Sequence, residues 1–184
     1  MRLIGSNTSP YVRRIRLMLA DMAYEFVTVA VFAQEGQQMI KQYSPTGRIP
    51  ILIDNENVIW DSLLITQYLS PSPLSLEVQK NLVLINEMND AGIQLFQLRK
   101  FKTDPQDQGE FSRNNLARIK NILNYFEEKN LQDWDIISQW MFCTLDWMDF
   151  REVYLWRKGH PKLENFINQN QANHLVKKTD PRIH

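Results

Sequence analysis

Three short stretches carry groups suited to holding a small thiol peptide: Ser9-Pro10-Tyr11, Arg48-Ile49-Pro50 and Asp61-Ser62. The chemistry centres on Ser9. At a helix N-terminus, unpaired N–H groups and the helix dipole favour negative charge. A free thiol ionises near pH ~8.5 and is mostly protonated at neutrality. A serine hydroxyl donating to its sulfur, beside open backbone donors, stabilises the thiolate. Lowering a thiol pKa by two units takes about 2.7 kcal/mol, the order supplied by one charge-assisted hydrogen bond and a helix end. In that role Ser9 tunes a bound sulfur and attacks nothing itself. Read alone, the same serine is an N-cap followed by proline at the first helical position. Thr8 and Ser6 offer neighbouring hydroxyls for either task, and Tyr11 reads as a packing residue.

The other two stretches supply backbone and charge. A proline entering a strand lacks the N–H for pairing, which puts Ile49-Pro50 at an edge or a tight turn. A cis bond there would turn the Ile49 N–H and C=O toward an extended peptide. Asp61-Ser62 can cap a helix. It can equally hold an amino-acid head group, with the helix end and the Ser62 hydroxyl on a carboxylate and Asp61 on the ammonium. Arg13, Arg14 and Arg16 crowd the first turns of the helix after Ser9, where cations oppose the dipole. They read as a solvated face, as an attraction for an anion, or as balance for carboxylates elsewhere.

The elements that must position these groups alternate over the first seventy residues. Leu3-Ile4 begins a strand ending at Gly5-Ser6-Asn7. A helix follows Ser9, with Val12, Ile15, Leu19 and Met22 on its inward face. Residues 24–32 read as a second strand, and 34–42 as a weak helix. Ser44-Pro45-Thr46-Gly47 is a turn, residues 49–53 a strand, Asp54-Asn55-Glu56-Asn57 a hairpin turn, and Val58-Ile59-Trp60 its return. Asp61 or Ser62 then caps a helix with Leu64, Ile65, Tyr68 and Leu69 as its apolar stripe. Ser70-Pro71-Ser72-Pro73 breaks the pattern. Beyond it only helices are expected: Leu76 to about Lys102, Phe111 to about Lys129, Ile137 to Phe150, and one after His160-Pro161. The expected division is 1–70, a linker at 71–75, and 76–184.

Composition narrows the partners. The 184 residues carry 21 basic and 21 acidic side chains, which removes the usual motive for proposing a nucleic-acid or membrane-surface partner. No leader and no spanning segment is apparent, so the expectation is a cytoplasmic protein. The single cysteine, Cys143, lies in an apolar stretch and reads as a buried structural thiol. With no cysteine pair near residues 6–12, a thioredoxin-type oxidoreductase is excluded. His160, His174 and His184 lack ligand spacing, so no metal is expected.

These motifs have a family likeness. Ser9-Pro10-Tyr11-Val12-Arg13-Arg14, Pro45-Thr46-Gly47-Arg48-Ile49-Pro50-Ile51-Leu52, and Asp61-Ser62 ahead of Ile65 and Tyr68-Leu69 resemble the cytosolic glutathione transferases, most closely their bacterial serine-type members. Residues 145–151 and 160–163 extend the likeness into the second half. The resemblance implies an α/β plus all-α fold. Its first part is a thioredoxin-like domain (β-α-β-α-β-β-α) and its second a helical domain. It implies that Pro50 is cis, that Ser9 activates the glutathione thiol, and that the Ile49 backbone pairs with the cysteinyl unit. Asp61 and Ser62 would hold the γ-glutamyl head group. Arg48, where lysine is common, would meet the glycyl carboxylate or stand at the surface. Glutathione would serve as co-substrate without a metal. A small hydrophobic electrophile or a peroxide would be attacked beside the long helix from Leu76, in a homodimeric detoxification enzyme. Phe96 and Trp147 read as core.

Three departures stand out. Ser44-Pro45 replaces the usual Asn-Pro, the chain is short, and Ser138 is followed by Met141 where the central helix often carries an acidic capping partner. The first exchanges one turn former for another; the short chain and the missing cap favour, as the alternative, a binding or regulatory protein of the stringent-starvation type that conjugates nothing, while the presence of Ser9, Ile49, Pro50, Asp61 and Ser62 argues against a full loss of ligand binding.

Overall fold

The computed structural model describes residues 1–104, 106–129, 131 and 133–183; His184 lies outside the described residues. They form two compact units, one of Met1–Ser75 with the segment from Asn173 onward, the other of Leu76–Ala172.

The first unit is built on β1 (Arg2–Gly5), α1 (Pro10–Met18), β2 (Glu25–Thr28), α2 (Gln34–Tyr43), β3 (Ile51–Asp54), β4 (Asn57–Ile59) and α3 (Ser62–Leu69), the expected thioredoxin-like order. The sheet runs β2-β1-β3-β4, with β1 parallel to β2 and antiparallel to β3. Strand alternation divides its core in two. Leu3 and Leu52 face α1 and α3, packing with Val12, Ile15, Leu19, Ile59 and Ile65. Ile4 and Ile51 point the other way and pack with Val29 and Ile40.

Several boundaries differ from the sequence reading, each for a physical reason. β2 stops at Thr28, because its partner β1 ends at Gly5; only the Val29 N–H reaches back, to the Gly5 carbonyl at 2.8 Å. β3 begins at Ile51, since Pro50 has no N–H for the ladder. α1 ends at Met18, so Met22 lies past the helix and is exposed. On α3, Ile65 and Thr66 point inward, whereas Leu64 and Tyr68 are exposed. The polar α2 is nonetheless a full helix. Gly36 lets it approach the preceding loop so closely that a Cβ there would lie 2.1 Å from the Ala30 carbonyl oxygen.

The three arginines do not form a solvated face: Arg13, Arg14 and Arg16 are only 3%, 0% and 8% exposed. Two of them anchor α8 (His174–Lys178), a short helix the sequence did not announce. Arg13 donates to Thr179 Oγ1 (3.2 Å) and to the Val176 carbonyl (3.1 Å). Arg16 donates to the Lys178 carbonyl at 3.4 Å. Guanidinium groups at a helix C-terminus meet its unpaired carbonyls and the negative end of its dipole.

The second unit contains α4 (Leu76–Lys100), α5 (Glu110–Glu128), α6 (Ile136–Phe150) and α7 (Pro161–Asn170). α6 is its central helix, burying Trp140, Met141, Phe142, Cys143, Leu145 and Met148. Its start corrects the expectation of a missing acidic cap. Asp135 is the N-cap and accepts from the Ser138 N–H at 2.8 Å, so the acid and the serine have exchanged places. Phe96 meets Trp147 edge to face at 6.0 Å, as core residues do. Cys143 is fully buried. No helix among the described residues is long and apolar enough to cross a membrane.

Candidate functional site

The strand register gathers the three candidate stretches at one end of the sheet. Ile4 is opposite Ile51, and Leu52 opposite Ile59. The chain leaving β1 toward Ser9, the chain entering β3 through Ile49-Pro50 and the chain leaving β4 toward Asp61 therefore run beside one another.

Ser9 is the N-cap of α1, in extended backbone with φ −87° and ψ 125°. Its Oγ accepts from the Val12 N–H at 3.3 Å. A hydroxyl that accepts still has its own proton to donate, and among the described residues no acceptor takes it. The cap and a donor to an outside atom are therefore compatible roles of one oxygen. Ser6 and Thr8 are engaged with each other, their hydroxyls 3.2 Å apart, and the Ser6 Oγ also accepts from the Thr8 N–H at 3.4 Å. That pairing sets them apart from Ser9. Ser9 is further fixed by its own N–H, which donates to the Ser6 carbonyl at 3.1 Å.

Ile49 is half-buried and packs against both halves of the sheet core. The Ile49–Pro50 peptide bond is cis, as is Trp60–Asp61. Among the described residues, no backbone hydrogen bond engages the N–H or C=O of Ile49. The turn ahead of it is sound despite Ser44 standing where asparagine is usual. Ser44 is buried, its Oγ lies 2.7 Å from Thr46 Oγ1, and its carbonyl accepts from the Gly47 N–H. Gly47 adopts φ +64°, a left-handed conformation that suits glycine. Arg48 is exposed, and among the described residues its guanidinium has no hydrogen-bonding or ionic partner.

Asp61 caps α3 through one oxygen, Oδ1, which accepts from the Leu63 and Leu64 N–H groups at 3.0 and 3.3 Å. Oδ2 remains for another donor. Ser62 is the first residue of α3 and only 3% exposed. Among the described residues its hydroxyl is unbonded. The positive end of the α3 dipole thus lies beside an open hydroxyl and an exposed carboxylate. That combination suits a group bearing both a carboxylate and an ammonium. No cluster of three or more His, Cys, Asp or Glu that could hold a metal ion occurs among the described residues.

The sequence reading missed Asn7 and the partner of Arg16. The Arg16 Nη1 donates to Asn7 Oδ1 at 2.9 Å, tying the loop before Ser9 to α1. The only signal was an arginine with no local reason to be where it is.

Residues 3–71 match the family model described as "Glutathione S-transferase, N-terminal domain". Over 98% of its length, and 98% of the relative's, the chain is 24% identical to an uncharacterized GST-like protein, YibF, of Escherichia coli K12. Its shortness therefore leaves that alignment whole. Among solved structures, a glutathione S-transferase of Methylobacillus flagellatus KT with glutathione bound superposes with a TM-score of 0.83 at 19% identity, covering 97% of this chain and 98% of that one. A glutathione transferase family member from Pseudomonas fluorescens Pf-5, also with bound glutathione, gives a TM-score of 0.83 at 22% identity and covers 97% of both chains. Residues 3–71 thus match a glutathione S-transferase N-terminal domain, and the chain as a whole shares with these structures the fold of a thioredoxin-like domain followed by a helical one.

Proposed function

We propose that this protein is a serine-type glutathione transferase in which Ser9 donates a hydrogen bond to the glutathione sulfur. The observation that carries the reading is the Ser9 hydroxyl. It accepts from Val12 at the start of α1 and keeps an uncommitted proton at a helix N-terminus. The remaining open groups match the rest of the tripeptide. The Ile49 N–H and C=O pair with the cysteinyl backbone, next to the cis Pro50. Ser62 and the α3 end hold the γ-glutamyl carboxylate, Asp61 Oδ2 the ammonium, and Arg48 the glycyl carboxylate. Structural relatives that bind glutathione support the same ligand.

In the reaction, the thiol proton passes to solvent and the thiolate is held by Ser9. A small hydrophobic electrophile is then attacked at carbon; the carbon–sulfur bond forms as the leaving group departs with its electron pair. Holding the ionised sulfur in place turns an encounter between two solutes into reaction at a fixed nucleophile. The protein acts as a homodimer in this reading, and the exposed apolar residues Val58, Leu64 and Tyr68 of β4 and α3 favour it.

The test is retention on immobilised glutathione followed by turnover of a generic aryl halide. The expected result is both, with turnover sharply reduced in Ser9→Ala and retention largely kept. Retention without turnover, unchanged in Ser9→Ala, would replace the enzyme with a binding protein on the same fold.

A further inference from the structure

We infer that Asn7 and Arg16 are positioning residues for Ser9, and that the segment from Asn173 to Ile183 is the anchor on which they depend. The inference rests on the reading that Ser9 meets a sulfur; its structural part stands without that.

The loop from Ser6 to Ser9 is organised internally by Ser6. The Ser6 carbonyl accepts from Ser9 N, and its hydroxyl accepts from Thr8 N. These contacts shape the loop but do not fix where it sits over the sheet. Asn7 does that, because its Oδ1 accepts from Arg16 Nη1 at 2.9 Å. Arg16 is itself nearly buried. Its guanidinium lies 4.7 Å from the centre of the Phe26 ring, and Nη2 donates to the Lys178 carbonyl. One planar fork thus bridges the loop before Ser9 and the C-terminal end of α8, while stacked on β2. Arg13 secures the same end of α8 through Thr179 and Val176. Thr179 completes that joint by donating to the Leu175 carbonyl at 2.9 Å.

An arginine fits this bridge where a lysine would not, because two fixed nitrogens must reach two acceptors in different directions. A bridge of this kind matters because a hydroxyl–sulfur hydrogen bond depends on where the hydroxyl stands. Displacement by about 1 Å can cost on the order of a hundredfold in rate. Releasing Asn7 lets the loop drift and weakens the bond to the thiolate. The bound thiol pKa then rises. A rise of about one unit lowers activity about tenfold on the acid side of the profile.

The experiment compares wild type, Asn7→Ala, Asn7→Asp and Arg16→Lys. It reads the pH profile of kcat/KM with glutathione, the amide hydrogen exchange of residues 6–12 without ligand, and the melting temperature. Asn7 is partly exposed, so Asn7→Ala is expected to melt close to wild type. Its acid limb should move up by about one pH unit, and exchange in residues 6–12 should quicken. Asn7→Asp keeps an oxygen facing the guanidinium and should restore both readouts; Arg16→Lys should behave like Asn7→Ala. An unchanged pH profile in Asn7→Ala, or no rescue by Asn7→Asp, overturns the positioning role. If the wild type ionises no thiol at all, the functional reading falls. Exchange alone then decides the anchor, and equal exchange in wild type and Asn7→Ala overturns it.

Discussion

In the proposed function Asp61 has two purposes, one for each carboxylate oxygen, and a pair of substitutions separates them. Oδ1 caps α3 by accepting from Leu63 and Leu64, and Oδ2 is assigned to the ammonium of glutathione. Asparagine keeps an oxygen for the cap and removes the charge; alanine removes both. Loss of an N-cap costs about 1 kcal/mol, or about 2–4 °C of melting temperature for a chain of this size. A hydrogen bond to a charged group contributes about 1.5–3 kcal/mol, which is roughly ten- to a hundredfold in Kd. Asp61→Asn should therefore melt like wild type and bind glutathione about ten- to a hundredfold more weakly. Asp61→Ala should show that same loss together with the lower melting temperature. Calorimetric titration with glutathione and thermal unfolding of the three proteins measure both quantities. Binding by Asp61→Asn as tight as wild type, or a loss of binding only in step with stability, would rule out a charge contact from Oδ2.

Three further outcomes are expected. Asp135→Ala removes the cap from the central helix of the second unit and should lower stability by about 1 kcal/mol, whereas Asp135→Asn should cost little; urea unfolding reads the difference. Gly36→Ala forces a Cβ against the Ala30 carbonyl and should destabilise by about 1–3 kcal/mol, seen in the same assay. The Ser112 hydroxyl, with the Gly109 N–H, holds the Asp104 carboxyl below its usual range, and Lys129 with Lys80 does so for Glu77. Carboxyls with lowered folded-state pKa values contribute stability above their unfolded values and lose it as pH falls through the folded ones. Stability should therefore drop below about pH 4, and Ser112→Ala should flatten that drop in unfolding midpoints measured against pH.

The element order was legible because alternation in Leu3-Ile4 and Ile51-Leu52, helical spacing in Val12, Ile15 and Leu19, and the Ser-Pro linker each speak locally. The candidate site was legible as three motifs in order, which the strand register brings to one sheet end. What escaped the sequence depends on partners far along the chain. The length of β2 is set by where β1 stops. The outward turn of Leu64 and Tyr68 is set by which face of α3 meets the sheet. The burial of Arg13 and Arg16 is set by α8, some 160 residues later. The central helix cap escaped because the expected order was serine first and acid three residues on, whereas here Asp135 comes first and accepts from the Ser138 N–H. Gly36 gave no local signal, since its need arises only where α2 meets the Ala30 carbonyl.

In the proposed function Ser9 lowers the pKa of a bound glutathione thiol. Ultraviolet difference titration of the thiolate, with glutathione bound to wild type and to Ser9→Ala, tests it directly. The wild-type complex is expected to titrate about two units below the free thiol's ~8.5, with most of that shift lost in Ser9→Ala. A wild-type complex whose thiol titrates where free glutathione does, or one whose lowered pKa survives Ser9→Ala unchanged, would contradict it.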